Sequence, residues 1–268
     1  MRVKLSEITP RRLYDAVERR VCDVPDALAW TLSGSSVRNR QLLEQYRGRH
    51  RGARCFLIAN GPSLGSMDLR ALADEYTISM NRAYLLYEQW RFVPTYYVCA
   101  NELVLEQFAN DIAHLGMPRF VNHNRRTYFD DARGNSLMYL RLRLGLADSF
   151  SSDVTHAISS GGTVTFVALQ LAYFMGFTKV ILIGLDHNFV EKGIPNATEI
   201  RQSAKDESHC HPDYFPKGTK WQLPDLYRSE LAYALAREAF ERDHREIIDA
   251  TVGGKCEVFP KVQFSSLV

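Results

Sequence analysis

The residues of this chain best suited to chemistry follow short apolar runs. Asn60, Asn81, Asn101 and Asp186 each come directly after such a run. Carboxamides and carboxylates offer hydrogen-bonding groups to sugars, nucleotides or metal ions. A single asparagine at a strand end is ordinarily a turn former. Four polar residues in equivalent positions instead favour a lined pocket.

Two glycine-containing turns accompany these residues, Asn60-Gly61-Pro62-Ser63 and Ser159-Ser160-Gly161-Gly162-Thr163. Glycine lets the backbone approach a ligand closely, and the N–H groups at a following helix start suit phosphate. Neither turn is GxGxxG or GxxxxGK[ST], so the usual NAD and ATP fingerprints are absent. From the residues alone, either turn could also be an ordinary connection or helix cap.

Histidines provide the candidate acid–base groups. His209 and His211 flank Cys210 in a polar segment, and His187 follows Asp186. Histidine is the usual general base near neutral pH. Zinc binding is an alternative, although the spacing matches no standard structural zinc pattern, and a plain surface histidine is another. Asp186 could hold a ribose hydroxyl or a metal, act as a base, or cap loop N–H groups.

The elements that position these residues alternate along the chain. Apolar runs predict strands, and helical spacing predicts helices near 36–46, 163–175 and 225–244. The predicted strands cover residues 55–59, 77–81, 96–100, 118–122, 179–186 and 246–252. Alternation of this kind predicts an α/β fold with a Rossmann-like, mostly parallel sheet and flanking helices. Right-handed crossovers place all carboxyl ends of the strands at one edge, where ligands bind.

We expect the chain to consist of an N-terminal arm and a catalytic domain, with a lid within the domain. Residues 1–52 form a helical N-terminal arm, with Leu13, Val17 and Val21 at helical spacing, and residues 53–268 form the catalytic domain. Residues 187–224 are polar and punctuated by proline and glycine, which predicts a lid over the pocket. Its aromatic residues argue against simple disorder. They are Phe189, Tyr214, Phe215 and Trp221.

Composition limits the setting of the protein. The N-terminus has no apolar signal sequence, no run is long enough to cross a bilayer, and the five cysteines are scattered. These features predict a cytoplasmic protein, with peripheral contact to the inner membrane left open. The first 54 residues carry 12 Lys and Arg against 6 Asp and Glu. Because the arginines are dispersed, we favour an arm packed on the domain over one that binds lipid, and we expect no nucleic-acid partner.

The motifs occur in an order that resembles a known family. CFLIANGPSL, SMN at 79–81, Asn101, SSGGTV at 159–164 and ILIGLDHNF at 181–189 resemble the DUF115 or MptE-like domain. That domain is similar to the bacterial sialyltransferases of glycosyltransferase family 42. The resemblance covers residues 53–262 and leaves the N-terminal arm outside it.

The resemblance implies roles for individual residues. In family 42 the matching turns and asparagines line a nucleotide-sugar site, no metal is needed, and a histidine is the general base. His209 or His211 would be that base here, and Tyr214 would stabilise the leaving phosphate. The family places aromatic residues where this chain has His187-Asn188, which is a departure. The MptE branch instead transfers diphosphate from ATP to a pterin alcohol with Mg²⁺, for which Asp186 would be the ligand.

We therefore predict a glycosyltransferase that uses a nucleotide-activated sugar, with CMP favoured as the nucleotide, and a surface glycan or lipid-linked acceptor. The alternatives are an ATP- and Mg²⁺-dependent diphosphokinase and a binding module without turnover. The leading hypothesis requires no cofactor, and a homo-oligomer is left open. The predicted catalytic residues are His209, His211, Asp186 and Tyr214. The predicted ligand-binding residues are Asn60, Gly61, Pro62, Ser63, Asn81, Asn101, Ser159, Ser160, Gly161, Gly162, Thr163 and His187.

Overall fold

A computed structural model describes residues 23–129, 136–143, 147–191, 193–203 and 205–268. The helix expected over Leu13, Val17 and Val21 lies outside these residues. Residues 23–32 are helical, and helix α1 follows over Gly34–Glu44. Two ion pairs fasten the 23–32 helix to the domain, with N–O distances of 2.5 Å each. They join Asp23 to Arg141 and Asp26 to Arg126.

A seven-stranded parallel sheet forms the centre of the domain, which confirms the predicted α/β Rossmann-like fold. Its order is β11-β8-β1-β2-β3-β4-β5. The strands are β1 (Arg54–Ile58), β2 (Thr77–Met80), β3 (Tyr96–Cys99), β4 (Arg119–Asn122), β5 (Leu137–Leu140), β8 (Lys179–Ile183) and β11 (Glu246–Asp249). Six of them coincide with predicted strands, and β5 is the addition.

Both faces of the sheet are covered, which explains why the strands are continuous apolar runs. Side chains alternate along β1, so Cys55 and Leu57 join one hydrophobic cluster while Phe56 and Ile58 join another. The first cluster includes most of helix α3 (Val164–Met175), whose residues Phe166 to Met175 are almost all buried. The helices of the domain are α2 (Glu102–Ala113), α3 (Val164–Met175) and α4 (Leu226–Arg242), with a single helical turn at Tyr87–Trp90.

The strand order reverses between β1 and β8. The chain builds outward from β1 to β5 and then returns to place β8 on the other side of β1. Such a switch point opens a crevice at the carboxyl edge of a parallel sheet. Here the loops after the two strands meet, because the Gly61 N–H donates to the Gly184 carbonyl at 2.8 Å. The first glycine turn and Asp186 are neighbours for this reason.

The described residues of 187–224, which we call the covering segment, contain more secondary structure than their composition predicts. Within this segment, strands β9 (Thr198–Ile200) and β10 (Lys220–Gln222) pair antiparallel. Outside it, β6 (Leu142–Arg143) and β7 (Ile158–Ser159) form another small pair. Tyr214, Phe215 and Trp221 are buried in a cluster with the sheet. None of the helices in the described ranges is both long and apolar enough to span a membrane.

Candidate active site

A cavity of about 400 Å³ opens at the carboxyl edge of the sheet, beneath the covering segment. It unites most of the polar residues singled out from the sequence, although they are spread over more than 150 positions of the chain. Those that line it are Asn60, Gly61, Asn81, Asn101, Ser160, Gly162, Thr163, Asp186, His187, His209 and Tyr214. The convergence expected from a parallel sheet is therefore present.

Adjacent strands contribute one polar residue each to the rim. Asp186 follows β8, and then Asn60, Asn81 and Asn101 follow β1, β2 and β3. Asn122, the last residue of β4, continues the row and also lines the cavity. Sequence reasoning missed Asn122 as a rim residue because it lies within a strand and is not followed by a turn signal. The result is a row of hydrogen-bonding side chains across five neighbouring strands.

Asn60 is the rim residue whose side chain most clearly lacks a partner. Only 9% of Asn60 is exposed, and its Oδ1 has no hydrogen-bond partner among the described residues. A buried, unpaired carbonyl oxygen costs free energy, and buried polar atoms are normally satisfied. Because Asn60 lines the cavity and this oxygen is itself shielded, the oxygen can accept from a ligand hydroxyl or amine once the side chain rotates toward the cavity.

Two other rim asparagines already have structural roles. Asn101 is the N-cap of α2, because its Oδ1 accepts from the N–H groups of Leu103 at 3.0 Å and Val104 at 3.2 Å. Asn81 adopts a left-handed backbone conformation, with φ of 47°, which asparagine tolerates better than most residues. Its carbonyl oxygen accepts from the Tyr97 hydroxyl at 2.5 Å.

Asp186 is held by the turn after β1. Its Oδ1 accepts from the Ser63 N–H at 3.0 Å, and its Oδ2 accepts from the Ser63 hydroxyl at 2.7 Å. A Cβ on Gly61 would lie 1.7 Å from Asp186 Oδ2, so this position has room only for glycine. Burial raises the pKa of the Asp186 carboxyl above its ordinary value, although the two hydrogen bonds from Ser63 oppose the shift.

The second glycine turn leads into α3 and carries a charged pair. Thr163 is the N-cap of α3, and its Oγ1 accepts from the Thr165 N–H at 3.3 Å. Gly161 donates its N–H to Asp148 at 3.2 Å, and Asp148 also pairs with Arg228 at 2.7 Å and 3.0 Å. Arg228 also lines the cavity. Sequence reasoning missed it because it belongs to no motif. The start of α3 and Arg228, which comes from α4, thus line the same cavity.

His209 has the geometry of an oriented base. Its Nδ1 lies 2.9 Å and 3.0 Å from the two carboxylate oxygens of Asp206, whose side chain is fully buried. Burial alone would raise the pKa of Asp206, but the hydrogen bond and charge of His209, together with Arg201, lower it below its ordinary value. Among the described residues, nothing lies within hydrogen-bond distance of His209 Nε2, and the ring lines the cavity.

Sequence reasoning missed Asp206 as the partner of His209, although it precedes that histidine by only three residues.

Tyr214, which is predicted to contact the leaving phosphate, lies parallel to the His209 ring. Burial raises the pKa of Tyr214 far above its ordinary range, and its hydroxyl is 3.4 Å from the Arg82 N–H, which donates to it. The phosphate role of Tyr214 remains a prediction.

Five predicted residues do not line the cavity, and each has another position. Ser63 turns toward Asp186 next to Pro62, and Ser159 Oγ accepts from Arg143 and from the Ser149 N–H. Gly161 lies against α3 and α4, where a Cβ would be 2.5 Å from Phe166.

His211, the fifth, accepts from the Asp213 N–H at 3.1 Å on its Nδ1. Of the two candidate bases, the structure therefore places only His209 at the cavity. No group of three His, Cys, Asp or Glu side chains in the described part of the chain could hold a metal ion. The described residues around Cys210 therefore provide no set of ligands for the zinc alternative.

Comparison with known proteins gives a family. A family model described as "6-hydroxymethylpterin diphosphokinase MptE-like" matches residues 34–192, which is more than half of the chain. The chain belongs to the MptE-like family. The resemblance predicted from the ordered motifs is thus confirmed. No curated protein matches the chain.

Among solved structures, the MptE-like chain is similar to the "MAf glycosyltransferase from Magnetospirillum magneticum AMB-1", with a TM-score of 0.53 and 16% identity. The match covers 87% of this chain and 39% of that chain, so this chain spans well under half of the other protein. At this level of identity the likeness shows the fold. The family match ends before Asp206 and His209, so it does not include that pair.

Proposed function

We propose that the chain is a glycosyltransferase that takes a sugar from a nucleotide-activated donor, with CMP as the favoured nucleotide. The observation that carries this proposal is the His209–Asp206 pair, which opens on the same cavity as the asparagine rim and the α3 start. Such a cavity offers a base, hydrogen-bonding groups for a sugar, and a site for phosphate. Transfer of a sugar from a nucleotide to a hydroxyl requires these three components.

The proposed reaction follows from their positions. His209 Nε2 takes the proton of an acceptor hydroxyl, and the acceptor oxygen bonds to the anomeric carbon of the sugar. The bond from that carbon to the phosphate oxygen breaks, and its electron pair stays on the phosphate. The start of α3, which is the positive end of the helix dipole, would stabilise the charge that develops on the phosphate. The acceptor in this proposal is a surface glycan or a lipid-linked glycan.

The comparisons support the proposal at the level of fold. The solved relative is titled a glycosyltransferase, and it shares the arrangement of this domain over most of the chain. The segment 187–224 would act as the lid that excludes water, because it carries His209 and covers the cavity. Protection of this segment from proteases by a bound nucleotide would be the expected sign of lid closure.

The description of the family favours a second candidate, a diphosphokinase that uses ATP. Mg²⁺ would then be held by the nucleotide phosphates and by Asp186, since one carboxylate plus phosphates can suffice. Both Asp186 oxygens already accept hydrogen bonds from Ser63, and the described residues offer no cluster of three ligands. Asp186 would have to exchange at least one of these bonds for the metal.

Thermal unfolding with a nucleotide panel separates these candidates. The panel contains CMP, CDP, UDP, GDP and ATP, each with and without Mg²⁺. We expect CMP to raise Tm without Mg²⁺, because a ligand that binds only the folded state stabilises it. A rise with ATP and Mg²⁺ alone, with AMP as the product, would select the diphosphokinase. No rise with any nucleotide would overturn both proposals.

A further inference from the structure

The cavity has a second histidine paired with a carboxylate. His187 Nε2 lies 2.9 Å from Glu230 Oε1, and only 6% of the His187 side chain is exposed. Because a carboxylate only accepts, this nitrogen carries the hydrogen. Among the described residues, no group lies within hydrogen-bond distance of the other ring nitrogen, Nδ1. The His187–Glu230 pair thus resembles the His209–Asp206 pair, with one nitrogen fixed and the other without a protein partner.

The backbone at His187 is strained. Its φ of 53° lies in the left-handed region, which few residues other than glycine adopt. Conformations of this kind cost free energy and cluster at functional sites, where the surrounding structure enforces them. Glycine would adopt the same conformation without strain.

Tyr233 connects His187 to the glycine turn. The Tyr233 hydroxyl is 3.3 Å from Thr163 Oγ1, and its ring centroid is 6.2 Å from that of His187. All three residues line the cavity. His187 and the start of α3, the part of the cavity suited to phosphate, are thus on either side of Tyr233. His209 lies further along the covering segment and stacks on Tyr214.

We propose that His187 is a catalytic residue that donates a hydrogen bond from Nδ1 to the phosphate that leaves the sugar; this rests on the proposed function. When the bond from the anomeric carbon to oxygen breaks, that oxygen keeps the electron pair and the Nδ1–H stabilises it. Both ring nitrogens then donate, Nε2 to Glu230 and Nδ1 to the phosphate, and the second ring proton is taken up from solvent when the phosphate binds. His209 and His187 then divide the work, since one receives the acceptor proton and the other stabilises the leaving group.

Binding of matched nucleoside pairs tests this role without any transfer assay. Calorimetry compares CMP with cytidine, UMP with uridine, AMP with adenosine and GMP with guanosine on the full chain. We expect the wild type to bind at least one monophosphate more tightly than its nucleoside. The variant H187Q should lose about 10- to 100-fold of the affinity for that monophosphate, because a hydrogen bond to a charged group is removed, and should keep its affinity for the nucleoside.

His244 provides the matched control. It is exposed, also has a left-handed backbone with φ of 57°, and does not line the cavity. H244Q should therefore bind all ligands as the wild type does. If H187Q fails to fold, E230Q gives the deciding measurement. It retains His187 and removes the negative charge beside the ring, and it should weaken monophosphate binding alone.

The outcomes separate the two proposals. If the wild type binds no nucleotide and no nucleoside, the proposed function fails. If the wild type prefers a monophosphate and both H187Q and E230Q keep that preference in full, the assignment of His187 fails while the proposed function stands. A loss of nucleoside affinity equal to the loss of monophosphate affinity in H187Q would also overturn the phosphate contact.

Discussion

The imidazole ring of His209 lies parallel to the phenol ring of Tyr214, with centroids 4.2 Å apart and an angle of 2° between the planes. Asp206 fixes the ring from its edge while Tyr214 fixes it from its face. Few rotations remain for a ring held in both ways. The unpaired Nε2 therefore has a defined position in the cavity, as a base needs before its substrate arrives.

Loss of the His209–Asp206 pair should affect turnover and stability differently. H209Q should lower turnover by about 10²- to 10⁴-fold, because a general base is removed. H211Q, a change of the same kind in the same segment but away from the cavity, should retain it. Turnover is measured as release of nucleotide from the donor identified by the nucleotide panel. Equal losses in both variants would contradict the assignment of His209 as the base.

The stability effect of Asp206 should depend on pH. Its folded-state pKa is lowered, so the pairing stabilises the protein above the ordinary pKa of 3.8 and this stabilisation is lost as pH falls through the folded value. D206N should thus unfold at lower denaturant concentration than the wild type at pH 7. The difference should shrink on acidification below pH 3.8. D213N, at an exposed position of the same segment, should show no difference at either pH.

Asp186 should show the opposite dependence. Its folded-state pKa is raised by burial, so its contribution to stability is fully present below 3.8 and is lost as pH rises through the folded value. Relative to D186N, which does not titrate, the wild type should gain stability as pH falls from 7 toward 4. Denaturant titrations of both proteins at several pH values measure this difference. A difference that stays constant with pH would contradict the raised pKa.

Gly61 should tolerate no side chain. In G61A the new Cβ would lie 1.7 Å from Asp186 Oδ2 and 2.6 Å from the Gly184 carbonyl, so the turn must shift. We expect a destabilisation of about 1–3 kcal/mol and weaker nucleotide binding. Gly65, four residues later, has no atom within 4 Å of the equivalent position. G65A should therefore keep both stability and binding, as measured by chemical denaturation and calorimetry.

Replacement of the buried residues Asn60 and Asn39 by alanine should affect the stability of the protein differently. Asn39 donates to the Tyr139 carbonyl at 2.9 Å and accepts from the Tyr139 N–H at 2.7 Å, so N39A should cost about 1–3 kcal/mol. Asn60 has an unpaired Oδ1, so N60A should unfold at the wild-type denaturant concentration or above it. The nucleotide-induced rise in Tm should shrink in N60A and persist in N39A. A large destabilisation in N60A would indicate a structural partner for Asn60.

Much of the fold could be predicted because strands buried on both faces are continuous apolar runs. The runs at 55–59 and 179–186 end in polar turns, and each was found to within a few residues. β5 was missed because its sequence, LMYL, continues directly into RLRL without a turn residue to mark its end. Helix α2 was missed although Asn101 is its N-cap, since the residue had been assigned to the ligand instead.

The residues on the rim of the candidate site could be predicted from the sequence, but the hydrogen-bonded side-chain pairs around the cavity could not. Parallel strands bring their ends together, so Asn60, Asn81 and Asp186 could be expected to converge. Contacts such as His187 with Glu230 join positions 43 residues apart, and no local pattern encodes them. The choice between His209 and His211 depended on which ring faces the cavity, which the course of an irregular segment decides.

The ion pairs of Asp23 and Asp26 limit how far the protein can be shortened from its N-terminus for experiments. Arg141, the partner of Asp23, also donates to Asn124 at 2.6 Å, and Asn124 belongs to the cavity wall. A recombinant fragment that begins at residue 34, where the family match starts, would discard both aspartates and leave two guanidiniums uncompensated. Assays on such a fragment would report on an altered wall, so residues upstream of α1 belong in any sample used to measure binding.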